Sequence, residues 1–542
     1  MLSRYLPPLA VALLPALLGL PVLAVLASWL ELDRQAWALL VGMGSTVLPD
    51  YAWTTFALCV AVALGVTLLG SVTACAVALF EFPGRRVFEW ALLLPLAMPA
   101  YVVAFAYTDF LQFSGPLQTM LRQTLGLEGR LIPDVQSLWG AILVFTLCLY
   151  PYVYLLVRTA LAERAVHLME AARLLGAPLS RRLTQVALPL ARPAVAAGVG
   201  LALMETLADF GVSSHLGVQT FTAGIYKAWL AMDNRAVAAQ LATVLLVIVT
   251  ALLAAERAAQ RRLRFSDVRG GGRAGGAESQ PVRLLGGQAV WAWLLCVTPI
   301  ALGFVFPVLF LLRPLILSGT ELRWDSFLQW SVNSLWLAGL TAVLATAGAL
   351  LLAFAQRQRP GGLQRWSVNV VGLGYAMPGA VIVVGLLLPL GWLQALWPQA
   401  ALGALLTTTA LGLVWAYLVR FTAVALQSVG SGYARIPPSL DDSARMLGVS
   451  GSALMVRVHW PLLKRSAAAA ALLVFVDVMK ELPATLVLRP FDSDTLAVVA
   501  YQLARDERLG EAALPALALV VVGLLPVVLI SRTLRERGSR PA

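Results

Sequence analysis

Apolar residues fall into long runs at roughly 7–28, 55–80, 90–110, 138–160, 193–213 and 236–255. A second series follows near 289–317, 331–355, 368–395, 401–427, 466–488 and 511–531. A helix needs about 20 apolar residues to cross the hydrocarbon core of a bilayer. The pattern therefore predicts an all-α polytopic membrane protein of about twelve transmembrane helices. The connections between runs alternate in charge. Arg85 and Arg86 follow the second run, and Arg158, Arg164, Arg173, Arg181, Arg182 and Arg192 surround the connection after the fourth. Arg257, Arg261, Arg262, Arg264, Arg269, Arg273 and Arg283 follow the sixth, and Arg532, Arg535, Arg537 and Arg540 close the chain. Segments 29–52 and 111–136 hold few basic residues and carry Asp50, Glu128 and Asp134, with Asp109 just before the second. Arginine is retained on the cytoplasmic side, which predicts that both termini are cytoplasmic. Trp29, Trp37, Trp53, Trp90, Trp139, Trp324 and Trp330 lie near predicted span ends, where an amphipathic ring prefers the headgroup layer.

Composition excludes most other classes. Of 542 residues, 60% are hydrophobic and 13% charged, and the mean hydropathy is +0.81. Soluble domains run near 45–50% apolar and about 25% charged, so a soluble enzyme and a disordered scaffold are both ruled out. The net charge of +12 comes almost wholly from arginine, since Lys227, Lys464 and Lys480 are the only lysines. No solvated domain carries it, which argues against nucleic acid. Cys59, Cys75, Cys148 and Cys296 sit singly in apolar runs, without the spacing of a disulfide framework or a zinc site. Arg4 with the apolar run to about Leu30 has the look of a signal peptide, Ala27 passing for a cleavage site. Because many spans follow, an uncleaved first helix is expected.

The segment 256–287 contains Gly270-Gly271-Gly272 and Gly275-Gly276, is rich in arginine and reads as a cytoplasmic linker. It divides the sequence into a first half of transmembrane runs, 1–255, and a second, 288–542. The halves are repeats. At an offset of 272, residues 170–190 and 442–462 align without a gap and share eight identities, among them Ala172/Ala444, Arg173/Arg445, Gly176/Gly448 and Pro189/Pro461. Ala97-Met98-Pro99 corresponds to Ala376-Met377-Pro378 at a slightly larger offset of 279. Two halves of about six spans start on the same side, so the repeats are parallel, about an axis along the membrane normal.

The strongest identity falls in a predicted cytoplasmic loop. Glu170-Ala171-Ala172-Arg173-Leu174-Leu175-Gly176 and Asp442-Ser443-Ala444-Arg445-Met446-Leu447-Gly448 each read as a short helix with a glycine stop. Ser439 before Asp442 predicts a capping box, and Ser180 and Ser452 predict caps for the helices that follow. Pro189 and Pro461 are expected to break the chain before the next span. Without the repeat, an amphipathic interfacial helix would account for either segment. Inside the next spans, Glu205 and Asp209 are four apart, as are Asp477 and Glu481, with Lys480 beside the second pair. Four-residue spacing predicts one helix face for each pair. Ionisable groups in a span cost about 2.5–3.5 kcal/mol each, so they are candidates for a translocation path; packing and gating, with Lys480 neutralising a neighbour, is the competing reading.

The loop spacing resembles the EAA loop, E-A-A-x(3)-G-x(9)-I-x-L-P, of the membrane subunits of bacterial ATP-binding-cassette importers. Glu170, Ala171, Ala172, Gly176 and Leu188-Pro189 match it; Asp442, Ala444, Gly448 and Pro461 match it again, with Ser443 and Trp460 departing. Met204-Glu205-Thr206-Leu207-Ala208-Asp209-Phe210-Gly211 and Asp477-Val478-Met479-Lys480-Glu481-Leu482-Pro483-Ala484-Thr485 resemble ferric-iron permeases of that family. The resemblance implies a fused permease in the bacterial inner membrane. Its two loops would act as coupling helices for two copies of a cytoplasmic ATPase subunit, and a periplasmic binding protein would deliver the substrate. It also implies no catalytic residue, no resident metal and no cofactor in this chain, ATP and magnesium being held by the ATPase subunits. In agreement, no Gly-Lys-Ser/Thr of a P-loop is present, the three lysines following Tyr226, Leu463 and Met479. Thiamine and phosphonate importers share this architecture. An ion-coupled secondary carrier would explain the acidic pairs but not two matched loops. His167, His215 and His459 are isolated in the sequence and need no role.

Overall fold

The computed structural model describes residues 2–31, 34–126, 128–161, 166–232, 234–267, 282–317, 323–358, 361–397 and 408–538. These residues are overwhelmingly helical, and ten of their helices are long and apolar enough to cross a membrane. The count becomes eleven if one bent pair is taken as a span. Ten of the twelve predicted runs thus contain a candidate span, although the run at 368–395 is interrupted at Met377-Pro378 before helix Gly379–Leu396; the other two runs are broken for identifiable reasons. The run at 90–110 bends by 87° between Arg85–Ala97 and Ala100–Leu125. The bend falls at Met98-Pro99, where proline takes extended backbone and removes a helical donor. The run at 466–488 becomes helix Trp460–Lys480, a break, and the short helix Pro483–Leu488. Lys464, Arg465, Asp477 and Lys480 dilute its apolarity.

The chain packs as two compact units. One comprises Met1–Gly44, Gly224–Leu246 and Leu322–Val499, and its core is the mutual packing of Trp324–Gln358, Ala410–Tyr433 and Trp460–Lys480. Helix Leu2–Ala27 lies against Gly362–Leu373 and Gly379–Leu396 in this unit. The other comprises Ser45–Ala223, Val247–Glu321 and Ala500–Ala542, with Leu48–Leu79, Leu138–Ala160 and Leu188–Ala208 at its core. There Gly70 and Gly198 permit close approach: a Cβ on either would come within 2.7 Å of Val153. Helix Gly287–Ile300 lies against Leu48–Leu79 of that core, and Phe306–Leu317 packs on Ala100–Leu111 and Leu509–Gly538. Each unit therefore takes its central helices from one repeat and its first flanking helix from the other.

Corresponding elements keep the repeat offset closely. Leu138–Ala160 answers to Ala410–Tyr433, and Leu188–Ala208 to Trp460–Lys480, each starting 272 residues apart. The expected linker at 256–287 begins inside helix Arg235–Asp267, and its glycine runs lie outside the described residues. On the far side, Val282–Arg283 pairs in parallel with Phe80–Glu81, and Leu284 N donates to Glu81 O at 2.9 Å.

Candidate functional site: two matched loops and two capped helix breaks

Both repeat loops fold as a helix, a glycine stop, a short turn of helix and a π-turn. In the first, helix Val166–Leu174 ends at Gly176, whose φ is +78°. Gly176 N donates to Arg173 O and Ala177 N to Ala172 O, both at 3.0 Å. In the second, helix Pro438–Met446 ends at Gly448, with φ +79°. Gly448 N donates to Arg445 O at 3.0 Å and Val449 N to Ala444 O at 2.9 Å. Each pair of bonds is a Schellman closure, which requires the left-handed residue that glycine supplies. The stop predicted from sequence is present in both copies.

The caps are not where the sequence placed them. Helix Pro438–Met446 starts two residues earlier than a Ser439 cap would have it, with extended Pro437 as N-cap and no side-chain cap bond. Pro438 at the first position already holds a helical φ and needs no donor. Ser439 lies inside the helix, and its carbonyl accepts from Ser443 Oγ at 2.9 Å. Ser180 and Ser452 also sit inside short helices, behind Pro178 and Gly451. Pro189 and Pro461 do not break the chain. Each enters at the second position of its span, directly after a π-turn at Leu183–Ala187 or Met455–His459. A π-turn widens the helix and accommodates a residue without a donor.

The loops present the same face outward. Leu174 and Leu175 are 90% and 87% exposed, and Met446 and Leu447 are 88% and 83% exposed. Ala171 and Ser443 are exposed beside them, while Ala444 turns inward and Ala172 is half-buried. Asp442 is exposed and pairs with Arg445 at 3.1 Å; Glu170 lies on the helix, but its side chain is outside the described set. Apolar side chains at such exposure, next to small residues, form a surface suited to a partner. The motif match names Ala171, Ala172 and Ala444 and passes over the apolar tips.

Behind the second loop lies a buried polar cluster that no local motif announces. Asp441, 4% exposed, receives Arg357 Nε on Oδ2 at 2.8 Å and His459 Nε2 on Oδ1 at 3.0 Å. Arg357 Nη2 also donates to Ile436 O at 3.0 Å, and Tyr433 Oη lies 3.3 Å from His459 Nδ1. Burial raises the Asp441 carboxyl, but the bonds and charges of Arg357 and His459 outweigh it and hold it below the usual aspartate range.

The acidic pairs are split by the helix ends. Glu205 and Asp477 lie within their spans, half-buried, as is Lys480 at the end of its helix; all three have interaction partners. Asp209 and Glu481 lie one residue beyond, in extended backbone, so neither pair shares one helix face as the spacing predicted. Asp209 Oδ1 accepts from Val212 N at 2.8 Å, ahead of helix Gly211–His215. Glu481 accepts from Ala484 N at 2.9 Å, Thr485 N at 3.0 Å and Thr485 Oγ1 at 2.6 Å, ahead of Pro483–Leu488, with Arg420 at 3.8 Å. A carboxylate on the free N–H groups of a helix start is a cap.

The unit containing Asp209 also holds a polar cavity of about 230 Å³, lined in part by Asp109, Ser214, His215, Tyr501, Arg505 and Glu507. His215 Nε2 meets Thr108 Oγ1 at 3.1 Å, and Tyr501 donates to Ser214 Oγ at 2.9 Å. Its lining carries two carboxylates, Asp109 and Glu507, and one arginine, Arg505.

Residues 66–265 match the family described as binding-protein-dependent transport system inner membrane component. The chain is 26% identical to the Fe(3+)-transport system permease protein FbpB 2 of Haemophilus influenzae, over 97% of this chain and 98% of that one. A Salmonella typhimurium permease whose name refers to 2-aminoethylphosphonate transport is 28% identical over 36% of this chain and 70% of its own. The inner membrane ABC transporter permease protein YdcU of Escherichia coli is 31% identical over 38% of this chain and 70% of its own. With its polytopic helical fold and its two matched loops, the chain belongs to the inner membrane permeases of binding-protein-dependent ATP-binding-cassette importers.

Proposed function

We propose that this permease moves ferric iron into the cytoplasm, and that its two repeat loops are coupling helices gripped by two copies of a cytoplasmic ATPase subunit. The observation that carries the coupling role is the pair of loops themselves. They share helix length, Schellman stop, π-turn and exposed apolar tip at one sequence offset. A loop serving only its own half has no reason to present the same outward face twice. On this reading Glu170, Ala171, Ala172, Gly176 and Pro189 with Asp442, Ala444, Gly448 and Pro461 form the docking elements. ATP and magnesium are bound by the partner, and the loops and both termini face the cytoplasm, consistent with the arginine-rich connections.

The ferric assignment is supported by the iron permease relative, which matches along nearly the whole chain. Carboxylate oxygens also suit a hard cation. Glu205 and Asp477, with Lys480, are proposed to line the substrate route; Asp209 and Glu481 hold the helix breaks beside it. The phosphonate relative, matching a shorter segment, supports the alternative cargo. The test is uptake in vesicles containing the chain, its ATPase subunits and its binding protein. ATP-dependent accumulation of radiolabelled iron is expected. Accumulation of 2-aminoethylphosphonate and not iron would overturn the substrate, and ion-driven uptake without the ATPase subunits would overturn the coupling.

A further inference from the structure

The two loops match in backbone and differ in what lies behind them. At the repeat offset, Asp441 corresponds to Met169 and His459 to Ala187, and all four are buried. At these two positions the first copy offers only apolar atoms, while the second assembles a chain of polar bonds among four helical segments. Arg357 comes from the last turn of Trp324–Gln358, where a cation suits the helix end. Tyr433 closes Ala410–Tyr433, Asp441 lies in the first turn of Pro438–Met446, and His459 ends the π-turn. One imidazole tautomer accounts for both histidine contacts. With the proton on Nε2, His459 donates to Asp441 Oδ1, and its bare Nδ1 accepts from the Tyr433 hydroxyl. Arg357 then fills Asp441 Oδ2 and reaches the Ile436 carbonyl just before the helix. The cluster fixes the loop helix at its start, leaving Met446 and Leu447 projecting from its end.

We propose that Arg357 and His459 are positioning residues which, through Asp441, hold the second loop in its docking orientation, so that the two ATPase contacts of this permease are not equivalent. This rests on the coupling role proposed above. A hydrogen-bonded network centred on a buried carboxylate favours one orientation, because displacing the helix strands that charge. Met169 and Ala187 impose no such directional requirement, and the first loop is free to shift without stranding a charge at these positions.

The test uses the full chain with its ATPase subunits in membrane vesicles, in a background lacking the four native cysteines. Leu174→Cys and Met446→Cys are each cross-linked to the ATPase with a short bifunctional maleimide. With His459→Leu, cross-linking at 446 should fall roughly tenfold, a change equivalent to about 1.4 kcal/mol, while cross-linking at 174 holds. His459→Gln, whose amide can still donate to Asp441, should retain most of the yield at 446. Should His459→Leu fail to reach the membrane, Asp441→Asn carries the same comparison. An unchanged yield at 446, or an equal loss at both positions, overturns the positioning role. No cross-link at either position in the parent chain overturns the coupling role itself.

Discussion

At the scale of single residues, the carboxylates divide by what they touch. Asp209 accepts a backbone N–H at the start of a short helix, and its removal should act first on stability. Asparagine caps as well as aspartate, whereas alanine forfeits the bond at about 1 kcal/mol. Asp209→Asn should therefore melt near the parent in detergent, and Asp209→Ala should be destabilised by about that amount. Equal melting of both variants with a shared loss of uptake would instead assign Asp209 to the substrate route. Asp441 predicts a pH dependence of definite sign. Its carboxyl is held below the ordinary value near 3.9, so its contribution to loop stability is present above that value and is lost as pH falls through its own lower one. The charged and titratable groups facing it are Arg357 and His459, with Tyr433 behind the imidazole. A spin label at Met446→Cys should gain mobility as the pH falls below about 3.9, while a label at Leu174→Cys stays constant. Equal acid response at both labels would refute the assignment.

At the scale of elements, what sequence could read was whatever a local rule fixes. Gly176 and Gly448 were legible as stops because a helix end needs a left-handed residue, and both have it. The halves of the repeat were legible because the offset survives in element boundaries as well as in identities. The Ser439 cap was misread because Pro438 starts the helix on its own, a competition between two local signals that spacing cannot rank. The assumption of one helix face for Asp209 and Glu481 failed because both helices stop one residue before them. Pro483 marks that stop in the second copy, while the first has only Gly211. The cluster around Asp441 was illegible for a different reason: Arg357 is 84 residues away, and no period in the sequence joins them. A consequence for the stops can be measured. No atom lies within 4 Å of a Cβ built on Gly176 or Gly448, so substitution there meets only the backbone penalty, about 1–2 kcal/mol. Asparagine, which tolerates this conformation, should preserve uptake and stimulated ATP hydrolysis. Valine should lower both together while insertion into the membrane survives. Full activity of the double valine variant would show that the stops do not shape the docking surface.

At the scale of the whole molecule, function depends on which side of the membrane the loops face, and the connections carry that information in their arginines. A loop with exposed leucines and methionine can meet an ATPase only from the cytoplasm. The segments joined to it by an even number of crossings must then be cytoplasmic as well. Gly272, in the arginine-rich stretch, and Glu128, on a connection with few basic residues, should lie on opposite sides. Cysteines introduced singly at these positions, again without the native four, test this directly. In intact spheroplasts an impermeant maleimide should label Glu128→Cys and leave Gly272→Cys unmodified. Permeabilisation should then expose Gly272→Cys. The reverse pattern would turn the loops toward the periplasm, where no ATP-hydrolysing partner could grip Leu174, Leu175, Met446 or Leu447. Those side chains would then need an extracytoplasmic partner to cover them, and the coupling role would have to be withdrawn even though the fold stood unchanged.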